Sequence, residues 1–492
     1  MLDQKKHTFW FVTGSQHLYG PETLEMVDAH SRTISEGLDK NPSVPYKVVF
    51  KPVLTTPEAI RKLCIEANSD DSCAGIITWM HTFSPAKMWI AGLSELRKPM
   101  LHLHTQFNRD IPWSDIDMDF MNLNQSAHGD REFGHIMTKM RINRKVVAGH
   151  YQDEEVLKEI FVWMRAAAAY KFSRELKVIR IGDNMRDVAV TEGDKVAAQI
   201  KLGWSVNGYG VGDFVAYLDQ VSDQEAEAML ASYRKEYEFL TDDLESVKEQ
   251  ARYEIALERM LSEKGAKAVT TTFENLHGLK QLPGLSIQRL MAKGYGFGAE
   301  GDWKTAALTA VLKYMGSGLE GGATFMEDYT YHLPKNEQFV LGAHMLEICP
   351  SISSDKPRID VQPLGIGGKN PPARLLFNAK PGKAVVATLI DLGERFRLIV
   401  NKITIIEGRS MPKLPVAQVL WKPEPSLAVS ATSWIYAGGA HHTVLSTQIN
   451  EKHLWDFARI ADIEYVEINE KTDLQEFVEK LMISDIVWKI KG

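Results

Sequence analysis

FWFVTG (residues 9–14) leads into PETLEMVDAHSRTISEGL (21–38), YKVVFKPV (46–53) into TPEAIRKLCIEA (56–67), and AGIITWM (74–80) into SPAKMWIAGLSEL (84–96). Three times, a short apolar run precedes a longer segment whose apolar residues recur at helical spacing. This alternation predicts βαβ units, which need crossover helices and therefore build a parallel sheet. Gly14, Ser15 and the pair Thr55–Thr56 are turn and capping residues, and they fall where the runs should end. In an open sheet of this kind, ligands bind beyond the carboxyl ends of the strands, so function is expected at those junctions.

The pattern restarts after the helix-like DEEVLKEIFVWMRAAAAYKF (153–172), with LKVIRIGD (176–183) as a strand, GDKVAAQIKLG (193–203) as a helix and AKAVTTTF (266–273) as a later strand. Between the last two, DDLESVKEQARYEIALERMLSEKG (242–265) keeps helical phase and reads as an amphipathic surface helix. From about Phe325 the texture changes to strand-like runs divided by turns: FVLGAHMLEI, ARLLFNAKPGKAVVATLIDL and RFRLIVNKITII. One late helix, EKHLWDFARIADI, and the strand-like EYVEI close the chain. The expected fold is α/β with three domains: an N-terminal α/β domain over residues 1–176, a central α/β domain over 177–323, and a β-rich domain over 324–492. A chain of 492 residues fits that number at about 150 residues per domain.

The formal charge is −7 and no stretch of Lys and Arg makes a basic stripe, which argues against nucleic acid or a membrane surface as partner. Cys64, Cys73 and Cys349 are the only cysteines, odd in number and without CxxC spacing, so neither a disulfide framework nor a cysteine zinc site is indicated. The apolar run Phe9–Val12 is too short for a signal-peptide core, and no uninterrupted apolar stretch reaches about 18 residues. A cytoplasmic protein is expected.

Gly296, Gly298 and Gly301 satisfy GxGxxG ahead of a helical segment, WKTAALTAVLKYMG, which read literally is a dinucleotide site. The preceding SIQRLMAKGYG reads as helix rather than strand, and Glu300 inside the loop would repel a pyrophosphate. The alternative is that the glycines bring the Glu300 carboxylate to a cleft, with Asp302 capping the next helix. GIGGK at Gly365–Lys369 lacks Walker spacing. FMEDYTYH places Glu327 and Asp328 among aromatics, His344 lies in FVLGAHMLEI, and His441 and His442 follow glycines in AGGAHHT. Carboxylates and imidazoles on apolar or glycine-rich runs suit a divalent manganese, iron or zinc ion with positions open to substrate. The two glutamates, His344 and the 441–442 pair lie 17 to 142 positions apart from one another, so no local spacing forces them together as HExxH would.

At these segments the sequence resembles the L-arabinose isomerase family, nearly end to end. The resemblance is carried by WFVTGSQHLYGPETL, HTFSPAKMWI, HTQFN, DMDFMNLNQSAHG, GDNMR, TTTFENLHGLKQLPG, GAEGDWKTAAL, FMEDYTYH, HMLEICPSI, LGIGGK and AGGAHHT. It implies the fucose/arabinose-isomerase-like fold, two Rossmann-like α/β domains before a barrel-like domain, assembled as a homohexamer. It also implies interconversion of L-arabinose and L-ribulose, and of D-galactose and D-tagatose, through a cis-enediol. One Mn2+ per subunit is the implied cofactor, with Co2+ or Mg2+ as substitutes. The ligands fall on Glu300, Glu327, His344 and His442, the two glutamates doubling as the acid/base pair. Substrate contacts fall on Gln16, Leu18, Phe83, Met185, Phe273 and Ile366, and His128 matches a histidine that reaches a neighbouring subunit's site. The competing readings are a nicotinamide-dependent oxidoreductase built on the glycine run and a non-catalytic sugar-binding protein.

Overall fold

The computed structural model describes residues 7–44 and 46–491. Residues 1–6, on which part of the N-terminal signal reading rests, lie outside them. The described residues divide into two compact units, one within 7–171 and one within 172–491.

In the first unit, strands β1 (Thr8–Thr13), β2 (Lys47–Phe50), β3 (Cys73–Trp79), β4 (Met100–His104) and β5 (Lys145–Ala148) form one parallel sheet in the order β2-β1-β3-β4-β5. Each predicted apolar run became a strand. Every residue of β3 is buried, as expected of a central strand covered by helices on both faces. The Thr56 hydroxyl accepts from the Ala59 N–H and Pro57 sits in the first turn, so the predicted cap starts the helix Pro57–Ser69. Strand order reverses between β1 and β3, and their carboxyl ends lead to Gln16 and Leu18 on one side and to Phe83 on the other.

The second unit opens with β6 (Lys177–Ile181), β7 (Ser205–Tyr209), β8 (Glu238–Phe239), β9 (Ala268–Thr271) and β10 (Gly296–Gly298). Four of these make a parallel sheet in the order β10-β9-β6-β7. There follow β11 (Ala323–His332), β12 (Phe339–Ala343), β13 (Arg358–Val361), β14 (Ala373–Leu376), β15 (Gly382–Asp391), β16 (Phe396–Ile406), β17 (Gln418–Pro423), β18 (His442–Ser446) and β19 (Glu464–Ile468). The antiparallel order β15-β18-β11-β12-β17-β16 is closed by β15 pairing with β16, giving a six-stranded barrel, and β19 adds in parallel to β16. Met326, Val340, Val386, Ile403, Val419, Trp421 and Leu445 contribute to its apolar core. Strands β8, β13 and β14 form a separate small sheet.

The helix Trp303–Gly316 is buried along its whole length, because it packs on β9 and β10 at one side and on β11, β15 and β18 at the other. The glycine run makes this possible. A Cβ on Gly296 would lie 2.2 Å from the Ala306 carbonyl oxygen, and one on Gly298 would lie 2.4 Å from that of Asp302. These glycines let strand and helix backbones touch, which accounts for the GxG spacing without a phosphate.

Two expectations need correction. The helix Leu244–Lys264 is not a surface helix: Glu249, Gln250 and Glu254 are buried along with its apolar residues. Glu254 is fully buried and accepts hydrogen bonds from Tyr233 Oη at 2.5 Å and Arg289 Nε at 2.7 Å, with Lys293 Nζ at 2.9 Å. A buried carboxylate so paired looks, in sequence, like one facing water. Nor does EYVEI close the chain, since a further helix follows at Leu474–Lys491.

Candidate metal centre

The loop after β10 carries Glu300 at φ +58°, a left-handed backbone that L-residues seldom adopt and that costs about 1–3 kcal/mol. It is held there by neighbours. The Met185 N–H donates to the Glu300 carbonyl, the Gly301 N–H donates to Thr271, and Gly301 at φ +81° completes the turn. A Cβ on Gly301 would lie 2.5 Å from Asn184 Cα, so only glycine fits. The Glu300 side chain, 16% exposed, thereby extends from the carboxyl end of the parallel sheet.

The barrel supplies the rest. Glu327 on β11 pairs in register with His442 on β18 and with Ala343 on β12, the residue before His344. Both histidines therefore flank one carboxylate. His442 Nε2 lies 3.2 Å from Glu327 Oε1 and 3.5 Å from Glu300 Oε2, and His344 Nε2 lies 3.4 Å from Glu327 Oε1. His441 is half exposed, with Nε2 3.7 Å from Glu300 Oε2. Glu300, Glu327, His441 and His442 form a group whose ligand atoms all lie within 4.8 Å of one another.

Each buried imidazole is backed by a buried carboxylate. His442 Nδ1 is 3.0 Å from Asp302 Oδ2, and His344 Nδ1 is 2.5 Å from Glu347 Oε2. Such partners hold the proton on Nδ1 and leave the Nε2 lone pair directed into the cluster. His442 Nε2 is buried, makes no aligned hydrogen bond and faces the Glu327 and Glu300 carboxylates, a setting that fits a ligand atom for a cation. Asp302 also receives the Lys304 and Thr305 N–H groups at the head of the buried helix, so one carboxylate caps that helix and orients His442.

The electrostatics agree. Burial disfavours the charged form of His442, but Asp302 and Glu327 outweigh it and pull its pKa up to about 9. Burial pushes the Glu327 carboxyl up, yet contact with His442 and the charge of His344 bring it below the ordinary range. The cluster therefore calls for positive charge, as a proton or as a metal ion, and its oxygen and nitrogen donors suit a divalent first-row ion.

Of the other sequence-predicted residues, Met185 hydrogen-bonds to Glu300 through its backbone, and the Phe273 ring lies 5.9 Å from that of His344. Ile366 sits on an exposed loop. Gln16, Leu18, Phe83 and His128 belong to the first unit, where Leu18 is exposed and the Phe83 and His128 rings meet edge to face at 4.9 Å. Three contributors went unread in the sequence. Phe325 puts its ring edge-on between both histidines, at 5.0 Å from His344 and 5.4 Å from His442. Glu347, three residues after His344, and Asp302, read only as a cap, are the orienting carboxylates.

Family models described as the L-arabinose isomerase N-terminal, central and C-terminal domains match residues 3–175, 177–318 and 322–464 in turn. The chain belongs to the L-arabinose isomerase family. L-arabinose isomerases from Geobacillus stearothermophilus and Anoxybacillus flavithermus are each 58% identical to it, the first over 99% of this chain and 100% of its own, the second over 99% of both. That of Halalkalibacterium halodurans is 58% identical over 98% of both chains. Like these relatives, the chain is an enzyme of the L-arabinose isomerase family, and the glycine run is part of its packing. Among the described residues no helix is long and apolar enough to cross a membrane. The three cysteines are free and buried.

Proposed function

We propose that this chain interconverts L-arabinose and L-ribulose, and D-galactose and D-tagatose, at a manganese site held by Glu300, Glu327, His344 and His442. The observation that carries this is the buried, unpartnered His442 Nε2 facing two glutamates from two different sheets, in a chain of this family. When bound, a divalent ion would supply Lewis acidity and would steady the negative charge that develops on the sugar during the reaction.

The protein's own groups do the proton work. One glutamate takes the proton from the carbon next to the carbonyl and returns it to the neighbouring carbon. The other moves a proton between the hydroxyl and carbonyl oxygens, so a cis-enediol forms and collapses with no external oxidant. Buried walls such as Phe325 keep water from competing. Met185, Phe273 and Ile366, in the unit that holds the cluster, are proposed sugar contacts. The family resemblance gives Gln16, Leu18 and Phe83 the same proposed role. Assembly as a hexamer, with His128 serving a neighbouring subunit, is supported by the exposed Trp113, Met118 and Met121 in the segment leading to it. Three unpaired thiols support a reducing, cytoplasmic setting.

The test is ketose formation from L-arabinose by metal-stripped protein, with and without manganese and with no nicotinamide cofactor. L-ribulose should form only with the ion. Turnover without any divalent ion would overturn the role of the site, and no ketose from any aldose with any divalent ion would overturn the isomerase reading.

A second expectation isolates Asp302. Asparagine still caps a helix but gives up the charge that faces the buried Lys304 Nζ at 3.4 Å, so Asp302→Asn should lower the melting temperature and also weaken manganese binding about 10–100-fold, the usual cost of losing a carboxylate behind a ligating histidine. Calorimetric titration with manganese reads it directly. An unchanged affinity would leave Asp302 a helix cap alone.

A further inference from the structure

A cavity of about 590 Å³ lies in the second unit where the β8-β13-β14 sheet meets β17 and the loop before it, and none of Glu300, Glu327, His344 or His442 lines it. Its wall includes Arg358 on β13, Asn378 after β14, Gln418 at the start of β17, and Arg409 and Lys413 on the loop. Three buried polar atoms of these side chains have no hydrogen-bond partner: Arg358 Nε, Asn378 Oδ1 and Gln418 Oε1. Buried polar atoms are seldom left so, and three around one cavity mark a place where a ligand completes the bonding.

The unmet needs specify the ligand. Gln418 is 8% exposed and its Nε2 donates to the Arg409 carbonyl at 3.3 Å, which fixes the amide and leaves Oε1 as an acceptor. Asn378 Oδ1 is a second acceptor, so two donors are wanted, as hydroxyl groups provide. Arg358 wants an acceptor and Lys413 adds positive charge, while the Arg409 guanidinium is already ion-paired with Glu337. Asp360, the carboxylate in the wall, is already engaged by the Val361 N–H at 2.9 Å and by Gln362 Nε2 at 3.0 Å. A neutral sugar leaves Arg358 and Lys413 unanswered and a bare anion leaves the amides unanswered.

We infer that this cavity binds a small polyhydroxylated anion of the sugar monophosphate class, at a site separate from the catalytic cluster. Gln418 pairs in register with Ala343, so an occupant held by Gln418 grips the strand beside β12, which ends one residue before the proposed metal ligand His344. The inference stands on the cavity and does not rest on the isomerase reading.

Calorimetric titration of the full-length, metal-stripped protein with ribose 5-phosphate, inorganic phosphate and ribitol tests it. Ribose 5-phosphate should bind saturably and at least tenfold more tightly than either fragment. Arg358→Met and Gln418→Leu should each weaken it at least tenfold. Should either buried change unfold the chain, Asn378→Asp sets a like charge against the phosphate from a less buried position and should weaken binding as much. Glu327→Gln should leave binding intact. No saturable binding, equal affinity for inorganic phosphate alone, or binding lost in Glu327→Gln and kept in Arg358→Met would each overturn the proposal.

Discussion

Glu327→Gln should fold like the parent chain and lose two to four orders of magnitude in turnover at saturating manganese, the range expected when a positioned acid/base group is removed. The substitution is nearly isosteric. Glu327 is held by the register of β11 between β12 and β18, so the amide occupies the same place without disturbing the barrel. What changes is the ability to take up a proton and the negative charge that faces two imidazoles. Measuring turnover as a function of manganese separates the two losses: weakened binding is recovered by more ion, and lost proton transfer is not. Near-parent turnover at saturation would remove Glu327 from the acid/base pair.

His442→Ala should weaken manganese binding by more than the 10–100-fold that loss of a supporting carboxylate costs, whereas His441→Ala should change it less than tenfold. The two residues are adjacent in sequence and both come near Glu300, yet their settings differ. His442 is fully buried, is pinned through Nδ1 by Asp302, and presents an unpartnered Nε2. The His441 side chain is 45% exposed, so water competes for its lone pair and its orientation is less determined. His344 decides the fourth position. It lies outside the tightest four-residue group, but it is buried, backed by Glu347 and 3.4 Å from Glu327. His344→Ala should therefore resemble His442→Ala in a calorimetric titration. If His441→Ala proves the more damaging, the ligand set is Glu300, Glu327, His441 and His442, and the family alignment of these motifs misleads.

The parallel sheets were legible because their signal is local. FWFVTG, AGIITWM and LKVIRIGD are each apolar enough and short enough to be strands, and each stands before a helical period. The helix Leu244–Lys264 misled because charge alternation is the same string of letters whether the charges meet water or, as Glu254 does, meet Arg289 and Lys293 in the interior. The last helix was illegible for another reason. Of its apolar residues only Phe477 and Leu481 are buried while Met482, Ile483, Ile486 and Ile490 are exposed, so no apolar stripe sets a period. At the candidate site, residue type and setting were readable one residue at a time. Convergence was not, since Glu300 and His442 are brought together by a loop on one sheet and a strand of another. Asp302 and Glu347 could not be assigned as orienting groups in advance, because that role exists only through the histidine each one touches.

The left-handed backbone at Glu300 also bears on how such a chain would respond to selection. Glycine adopts that conformation without penalty, so at this position the residue that favours folding and the residue that favours chemistry differ. Directed evolution rewarding heat resistance alone would drift toward glycine at 300 and gather hardy, inactive clones. Evolution under a growth requirement would keep the glutamate and find its gains in stability elsewhere in the chain.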